Sequence, residues 1–148
     1  TRWFVVHKVT LKMRMKVTAN EAWSILSNFS GFMEWAGIDQ GKITVEGEGI
    51  GMIRHLATPI GEIGERLTYL DHEAQQIGYE IAYGEPIGMQ SYQALITVIS
   101  EDHSSCTIDW SGQFIPVDPE AVEEVTAALS GSYQNMHQSL ERYIHDRL

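Results

Sequence analysis

Over the first 17 residues apolar and polar positions alternate imperfectly, with Phe4, Val6 and Lys8 on one parity and Val5, His7 and Val9 on the other. A period near two marks a strand, and the pattern predicts one long strand over Phe4–Val17. The period then changes. Thr18, with Glu21 three residues on, has the spacing of a helix capping box. Ala22, Trp23, Ile25 and Leu26 follow as a short helix that stops near Asn28. A second helical turn around Gly31–Ala36 brings Phe32 and Trp35 toward the same core. From Lys42 to Pro116 the period is two again, predicting strands at Ile43–Glu48, Met52–Thr58, Gly61–Leu70, Gln75–Tyr83, Tyr92–Ser100 and Ser105–Ile115. The segments between them (Gly49-Ile50-Gly51, Thr58-Pro59-Ile60-Gly61, Asp71-His72-Glu73, Gly84-Glu85-Pro86 and Glu101-Asp102-His103) are short and turn-like. Links this short join antiparallel neighbours.

The last segment has a helical period. Asp118-Pro119-Glu120 supplies an N-cap and a first-turn proline. Apolar residues then fall at Val122, Val125, Leu129, Tyr133, Met136, Leu140 and Ile144, the stripe of an amphipathic helix. Gly131 interrupts it at roughly 1 kcal/mol relative to Ala, so it is either tolerated or lets the helix pass close to the sheet or a ligand. One terminal helix is too narrow to cover seven flat strands. A sheet curled around it buries its inner face and leaves space between the two. The predicted class is therefore α+β: a seven-stranded curved antiparallel sheet gripping a long C-terminal helix, with two short helices after the first strand, as one domain over residues 1–148.

Composition narrows the function. Hydrophobic residues at 43% and charged residues at 20% are ordinary for a folded globular chain. A net charge of −10 argues against nucleic acid, whose phosphates need clustered Lys and Arg, and against anionic lipid surfaces. The lone Cys106 has no partner for an internal disulfide, and no stretch reaches the ~20 apolar residues of a membrane span. The expectation is a cytoplasmic protein without stable membrane insertion, monomeric or homodimeric. The six histidines show no His-x-x-x-His or Glu-x-x-His spacing, and no phosphate loop follows Gly47–Gly51, so neither a metal nor another cofactor is expected. His137 is expected on a solvated flank of the last helix, and Cys106 as a strand residue without a base partner.

The ordered motifs Val17-Thr18-Ala19-Asn20-Glu21-Ala22-Trp23, Phe32…Trp35, Gly49-Ile50-Gly51-Met52-Ile53-Arg54, Gly64-Glu65-Arg66-Leu67, Tyr79-Glu80-Ile81, Pro86…Tyr92 and Trp110-Ser111-Gly112-Gln113-Phe114 carry a resemblance. Over nearly its whole length the chain resembles the polyketide cyclase/dehydrase-like branch of the START and birch-pollen-allergen (SRPBCC) superfamily. The resemblance implies the helix-grip fold. The activities it implies are diverse: lipid and hormone binding, polyketide cyclisation, and acid–base lyase or isomerase chemistry without a cofactor. Arg54, Glu65 and Tyr92 match positions with catalytic roles in a lachrymatory-factor-forming member of that superfamily.

Alternation sorts the side chains by face. Met52, Arg54 and Leu56 share one, as do Ile63, Glu65, Leu67 and Tyr69, then Tyr79, Ile81 and Tyr83, then Tyr92, Ala94, Ile96 and Val98. If the apolar-rich faces point inward, Arg54 and Glu65 go with them. They then form either a structural ion pair or the polar spot of an apolar pocket. Ile108, Trp110 and Phe114 are expected inward on the last strand. The expected pocket walls are Met52, Leu67, Tyr79, Ile81, Tyr83, Trp110, Leu129, Tyr133 and Met136. The expected ligand is a small hydrophobic oxygenated molecule. Catalysis by cyclisation, dehydration or isomerisation would use Glu65 to shuttle a proton, Arg54 to hold an oxyanion or carboxylate, and Tyr92 to polarise the substrate oxygen. A carrier or sensor without catalysis would need the same cavity.

Overall fold

The computed structural model describes residues 4–37, 41–58 and 61–148. Strand β1 (His7–Met15) leads into helix α1 (Ala19–Leu26), and a 3-10 turn at Phe29–Gly31 continues into α2 (Phe32–Trp35). Six strands follow: β2 (Lys42–Glu46), β3 (Ile53–Thr58), β4 (Gly61–Asp71), β5 (Gln76–Tyr83), β6 (Met89–Asp102) and β7 (Ser105–Pro116). A 3-10 turn at Pro119–Ala121 opens the 26-residue helix α3 (Val122–Arg147). Strand β1 is shorter than its alternation suggests, and β6 starts three residues before Tyr92. The predicted turn residues Pro59 and Ile60 lie outside the described residues.

Thr18 begins α1 with both halves of the capping box: its hydroxyl accepts from the Glu21 N–H, and the Glu21 carboxylate accepts from the Thr18 N–H. Such a cap contributes about 1 kcal/mol. The indole N–H of Trp23 donates to Nδ1 of His72, tying α1 to the β4–β5 turn. All seven strands form one antiparallel sheet in the order β1-β7-β6-β5-β4-β3-β2. Hairpin links make every pair sequential except β1 with β7, which brings the two ends of the chain together at one side of the sheet.

Two irregularities in the β4–β5 ladder change which side chains point inward. Gly64 and Glu65 are adjacent on β4 but face Tyr83 and Ile81, so Ala82 is the extra residue on β5. Leu67 and Tyr69 face the adjacent Tyr79 and Gly78, so Thr68 is the extra residue on β4. Each extra residue reverses the alternation beyond it. Tyr69 and Tyr83, expected inward, consequently stand exposed on the outer face. On β7, by contrast, Ile108, Trp110 and Phe114 are inward and buried as expected.

The concave face and α3 share the core. From α3 come Val125, Leu129, Tyr133, Leu140 and Ile144; from the sheet come Leu56, Leu67, Ile96, Trp110 and Phe114. Burying each such side chain is worth about 1.5–3 kcal/mol. His137 belongs to this core rather than to a solvated flank. Only 3% of its surface is exposed, and its Nε2 lies 3.2 Å from the Arg14 carbonyl oxygen of β1. Burial lowers its pKa, which favours the neutral ring there.

Candidate functional site

Between the concave sheet and α3 lies a cavity of about 540 Å³, within the usual size of a small-molecule site. Its walls come from six elements: Phe32 on α2, Leu56 on β3, Ile63 and Glu65 on β4, Tyr79 on β5, Met89 and Tyr92 on β6, and one face of α3. That face presents Leu129, Ser132, Tyr133 and Met136, spaced by three and four, with Ala128, Gly131 and Asn135 beside them. Exposed Ile87 and neighbouring Pro86 stand at the mouth. Most of the lining is hydrocarbon. Polar groups enter at a few points.

Glu65 is one of them. Arg54 and Glu65 face each other across β3 and β4 and are both buried. The guanidinium donates from Nε to Oε1 of Glu65 at 2.8 Å, and one terminal nitrogen lies 2.8 Å from the same oxygen. Its other terminal nitrogen donates to the Phe29 carbonyl at 3.0 Å. The guanidinium carbon lies 3.9 Å from the Phe29 ring centre and 4.3 Å from that of Phe32. Each nitrogen of Arg54 therefore has a protein partner, and the residue is not among those lining the cavity. Holding a substrate anion, the role foreseen for Arg54, does not fit this geometry. What Arg54 holds is Glu65, whose second oxygen meets no donor among the described residues while its side chain lines the cavity.

Three phenols form the second polar feature. The Tyr92 hydroxyl lies 2.5 Å from that of Tyr133 and 3.4 Å from that of Tyr79. Trp110 stacks on Tyr133 with ring centres 5.6 Å apart at 16°. The Tyr133 hydroxyl comes so close to β7 that a side chain at position 112 would overlap it, which is why Gly stands there. Burial dominates the titration of all three. It pushes Tyr79 up to about 12, with the Glu65 charge adding and the Arg54 charge opposing. It pushes Tyr92 well above the ordinary phenol value, reinforced by its two tyrosine neighbours, and raises Tyr133 likewise. All three are neutral hydrogen-bond donors at physiological pH.

Of the residues singled out from the sequence, Glu65, Tyr79, Tyr92, Leu129, Tyr133 and Met136 converge on the cavity. Arg54 and Trp110 instead flank a water-sized void of about 10 Å³ beneath it. Leu67 is fully packed in the core, and Met52 and Ile81 pack partly against it; none of the three reaches the cavity. Tyr83 leaves the site altogether. Beyond the extra residue Ala82 it lies on the outer face, its hydroxyl 2.7 Å from Nδ1 of His55 and its ring over Gly64. Phe32, Leu56, Ile63, Ser132 and Asn135 were not foreseen as lining. For Ser132 and Asn135 the signal was present: they directly precede the stripe positions Tyr133 and Met136 on a helix already expected to face the space. Cys106 is buried, and its thiol is pushed up to about 11, which leaves it unreactive. Among the described residues, no three His, Cys, Asp or Glu side chains converge as a metal site would need. No helix is long and apolar enough to cross a membrane.

The same architecture occurs in solved structures. Norcoclaurine synthase from Thalictrum flavum superimposes with a TM-score of 0.80 at 18% identity, over 99% of either chain. Zhui aromatase/cyclase from a Streptomyces reaches 0.82 at 15% identity, over 97% of this chain and 96% of that one. The protein XoxI from Bacillus cereus reaches 0.79 at 27% identity, over 94% and 96%. No curated protein matches in sequence. The model of the family described as polyketide cyclase / dehydrase and lipid transport matches residues 6–145, and the chain belongs to that family.

Proposed function

We propose that the cavity binds a small hydrophobic oxygenated molecule and that Glu65 and Tyr92 perform acid–base chemistry on it without a cofactor. The observation that carries this is the asymmetry of Glu65: Arg54 takes one oxygen, the other meets no donor among the described residues, and the side chain lines the cavity. A carboxylate fixed in this way is oriented to take a proton from a carbon next to a carbonyl and to return it elsewhere on the same molecule. The electron pair released moves to the carbonyl oxygen, where the neutral Tyr92 hydroxyl donates a hydrogen bond. Moving a proton in this way isomerises. Loss of water from the resulting enol dehydrates, and attack of the carbanion on a second carbonyl cyclises. Two fold neighbours, a synthase and an aromatase/cyclase by name, support ring-forming chemistry. One norcoclaurine synthase structure holds dopamine and hydroxybenzaldehyde, small aromatic oxygenated molecules of a size such a cavity admits.

The family description also includes lipid transport, which favours a second reading: a carrier that only orients its ligand. Deuterium uptake at the methyl group of acetonaphthone in heavy water separates the two. An acid–base enzyme speeds the exchange, and Glu65→Gln slows it by at least about 100-fold, the scale of a general base, while affinity for the ketone stays close to wild type. Equal exchange in both forms leaves only the carrier.

A further inference from the structure

Tyr79, Tyr92 and Tyr133 bring three hydroxyl protons into the cavity wall, and two hydroxyl–hydroxyl contacts join them. A phenol has one proton to donate and two lone pairs with which to accept. Two contacts consume two protons, so one remains. Among the described residues none of the three donates to a carbonyl or a carboxylate.

The surroundings decide which proton is left. Tyr133 is fully buried, and its hydroxyl is pressed onto Gly112, with Tyr92 as its only hydrogen-bond partner among the described residues. Another polar group near the Tyr79 hydroxyl, the buried indole N–H of Trp110, is a donor and cannot accept the Tyr79 proton. If Tyr92 donated to either neighbour, that neighbour would need a second acceptor for its own proton, and among the described residues neither outer hydroxyl has one. Convergence of both outer hydroxyls on the Tyr92 oxygen removes the conflict. We propose that Tyr79 and Tyr133 are positioning residues: both donate to the Tyr92 oxygen, turn the Tyr92 proton into the cavity, and so select an uncharged carbonyl compound over a carboxylate of the same shape. Two donors on one oxygen also polarise its O–H bond and strengthen what it donates. Among the described residues no Lys or Arg lines the cavity, Arg54 being turned to Glu65 and Phe29, so a carboxylate meets the Glu65 charge instead. This inference rests on the reading of the cavity as a site for an oxygenated apolar molecule. It needs no turnover, so a failed exchange experiment leaves it standing.

Acetonaphthone carrying a carbon-13 carbonyl is the probe, with naphthoate as its charged counterpart and methylnaphthalene as the oxygen-free control. In wild type the bound carbonyl resonance moves downfield, and naphthoate binds at least about tenfold more weakly than the ketone. Tyr92→Phe abolishes the downfield shift. Tyr79→Phe and Tyr133→Phe keep the rings but reduce the shift, and each weakens ketone binding by about threefold to tenfold, the worth of one neutral hydrogen bond. Methylnaphthalene binding stays unchanged in all three. A purely structural role for the outer tyrosines would lower affinity for ketone and hydrocarbon alike without changing the resonance. An unreduced shift in both Tyr79→Phe and Tyr133→Phe, or naphthoate binding as tightly as the ketone, overturns the proposal. Failure of ketone and methylnaphthalene alike to bind overturns it together with the cavity reading.

Discussion

Arg54 places both of its contacts with Glu65, 2.8 Å each, on a single carboxylate oxygen. Two buried charges are costly to desolvate, and the cost is offset only while each has the other. The arrangement therefore fixes Glu65 without using up its hydrogen-bonding capacity. It also makes the pair brittle.

Arg54→Leu strands a buried carboxylate and removes the cation held between the Phe29 and Phe32 rings. The expected loss of stability is about 3–5 kcal/mol, read as a shift in the urea midpoint. Adding Glu65→Leu to that variant recovers most of it, because no unpaired charge then remains. If the double variant is as unstable as Arg54→Leu alone, the pair is not what Arg54 contributes.

Gly131 interrupts α3 where it lines the cavity, and a Cβ built there meets no atom within 4 Å. The glycine is thus not demanded by close packing; its absent side chain is cavity space. Gly131→Ala stabilises the helix by up to about 1 kcal/mol. Gly131→Leu keeps that gain and fills the cavity, so acetonaphthone binding is lost while the melting temperature holds or rises. Stability and binding moving in opposite directions is the diagnostic. A parallel loss of both would mean that the helix has no spare room at this position.

The three buried phenols make stability fall at high pH. An unfolded chain ionises tyrosine near pH 10, whereas the folded protein holds Tyr79 neutral up to about 12 and raises Tyr92 and Tyr133 as well. Between those values the unfolded state has released protons that the folded state keeps. Their contribution is fully present below pH 10 and is lost as pH rises through 12. Phenolate absorbance should show these tyrosines titrating together with unfolding, and Tyr79→Phe should make the alkaline decline less steep. Complete titration of all tyrosines near pH 10 in a folded protein would contradict this.

Element order, the helix stripe and the inward face of β7 were legible because each rests on many residues obeying one period. Alternation carried the pairing of Arg54 with Glu65 as far as neighbouring strands. Two kinds of information were missing. Single extra residues at Thr68 and Ala82 flip Tyr69 and Tyr83 to the outer face, and no residue type in those strands announces a bulge. The division of labour within the pair was also hidden. Alternation puts Arg54 inward, but only the placement of the Phe29–Gly31 turn and α2 shows that Phe29 takes up its remaining nitrogen and that Phe29 and Phe32 meet its flat faces. His137 was misread from its residue type: it falls four residues after Tyr133 and three before Leu140, in the middle of the buried stripe of α3, where it meets β1.

Gly112 and Gly64 offer a paired test of what holds the tyrosines in place. Both are strand glycines, where alanine ordinarily gains about 0.5–1 kcal/mol. A Cβ at 112 would overlap the Tyr133 hydroxyl and lie 2.9 Å from the Tyr92 ring, and both rings are locked in the core. A Cβ at 64 would overlap the Tyr83 ring, but that ring is 41% exposed and can swing away. Gly112→Ala is therefore expected to cost about 1–3 kcal/mol as an overpacked core does, and Gly64→Ala much less. Tyr133→Phe removes the overlapping oxygen. Combined with Gly112→Ala it should be less destabilising than the two single losses added, by at least about 0.5 kcal/mol in a double-mutant cycle. Strict additivity would mean that Gly112 is not there to admit the Tyr133 hydroxyl, and the hydrogen-bonded contact between Tyr133 and Tyr92 would lose its structural explanation.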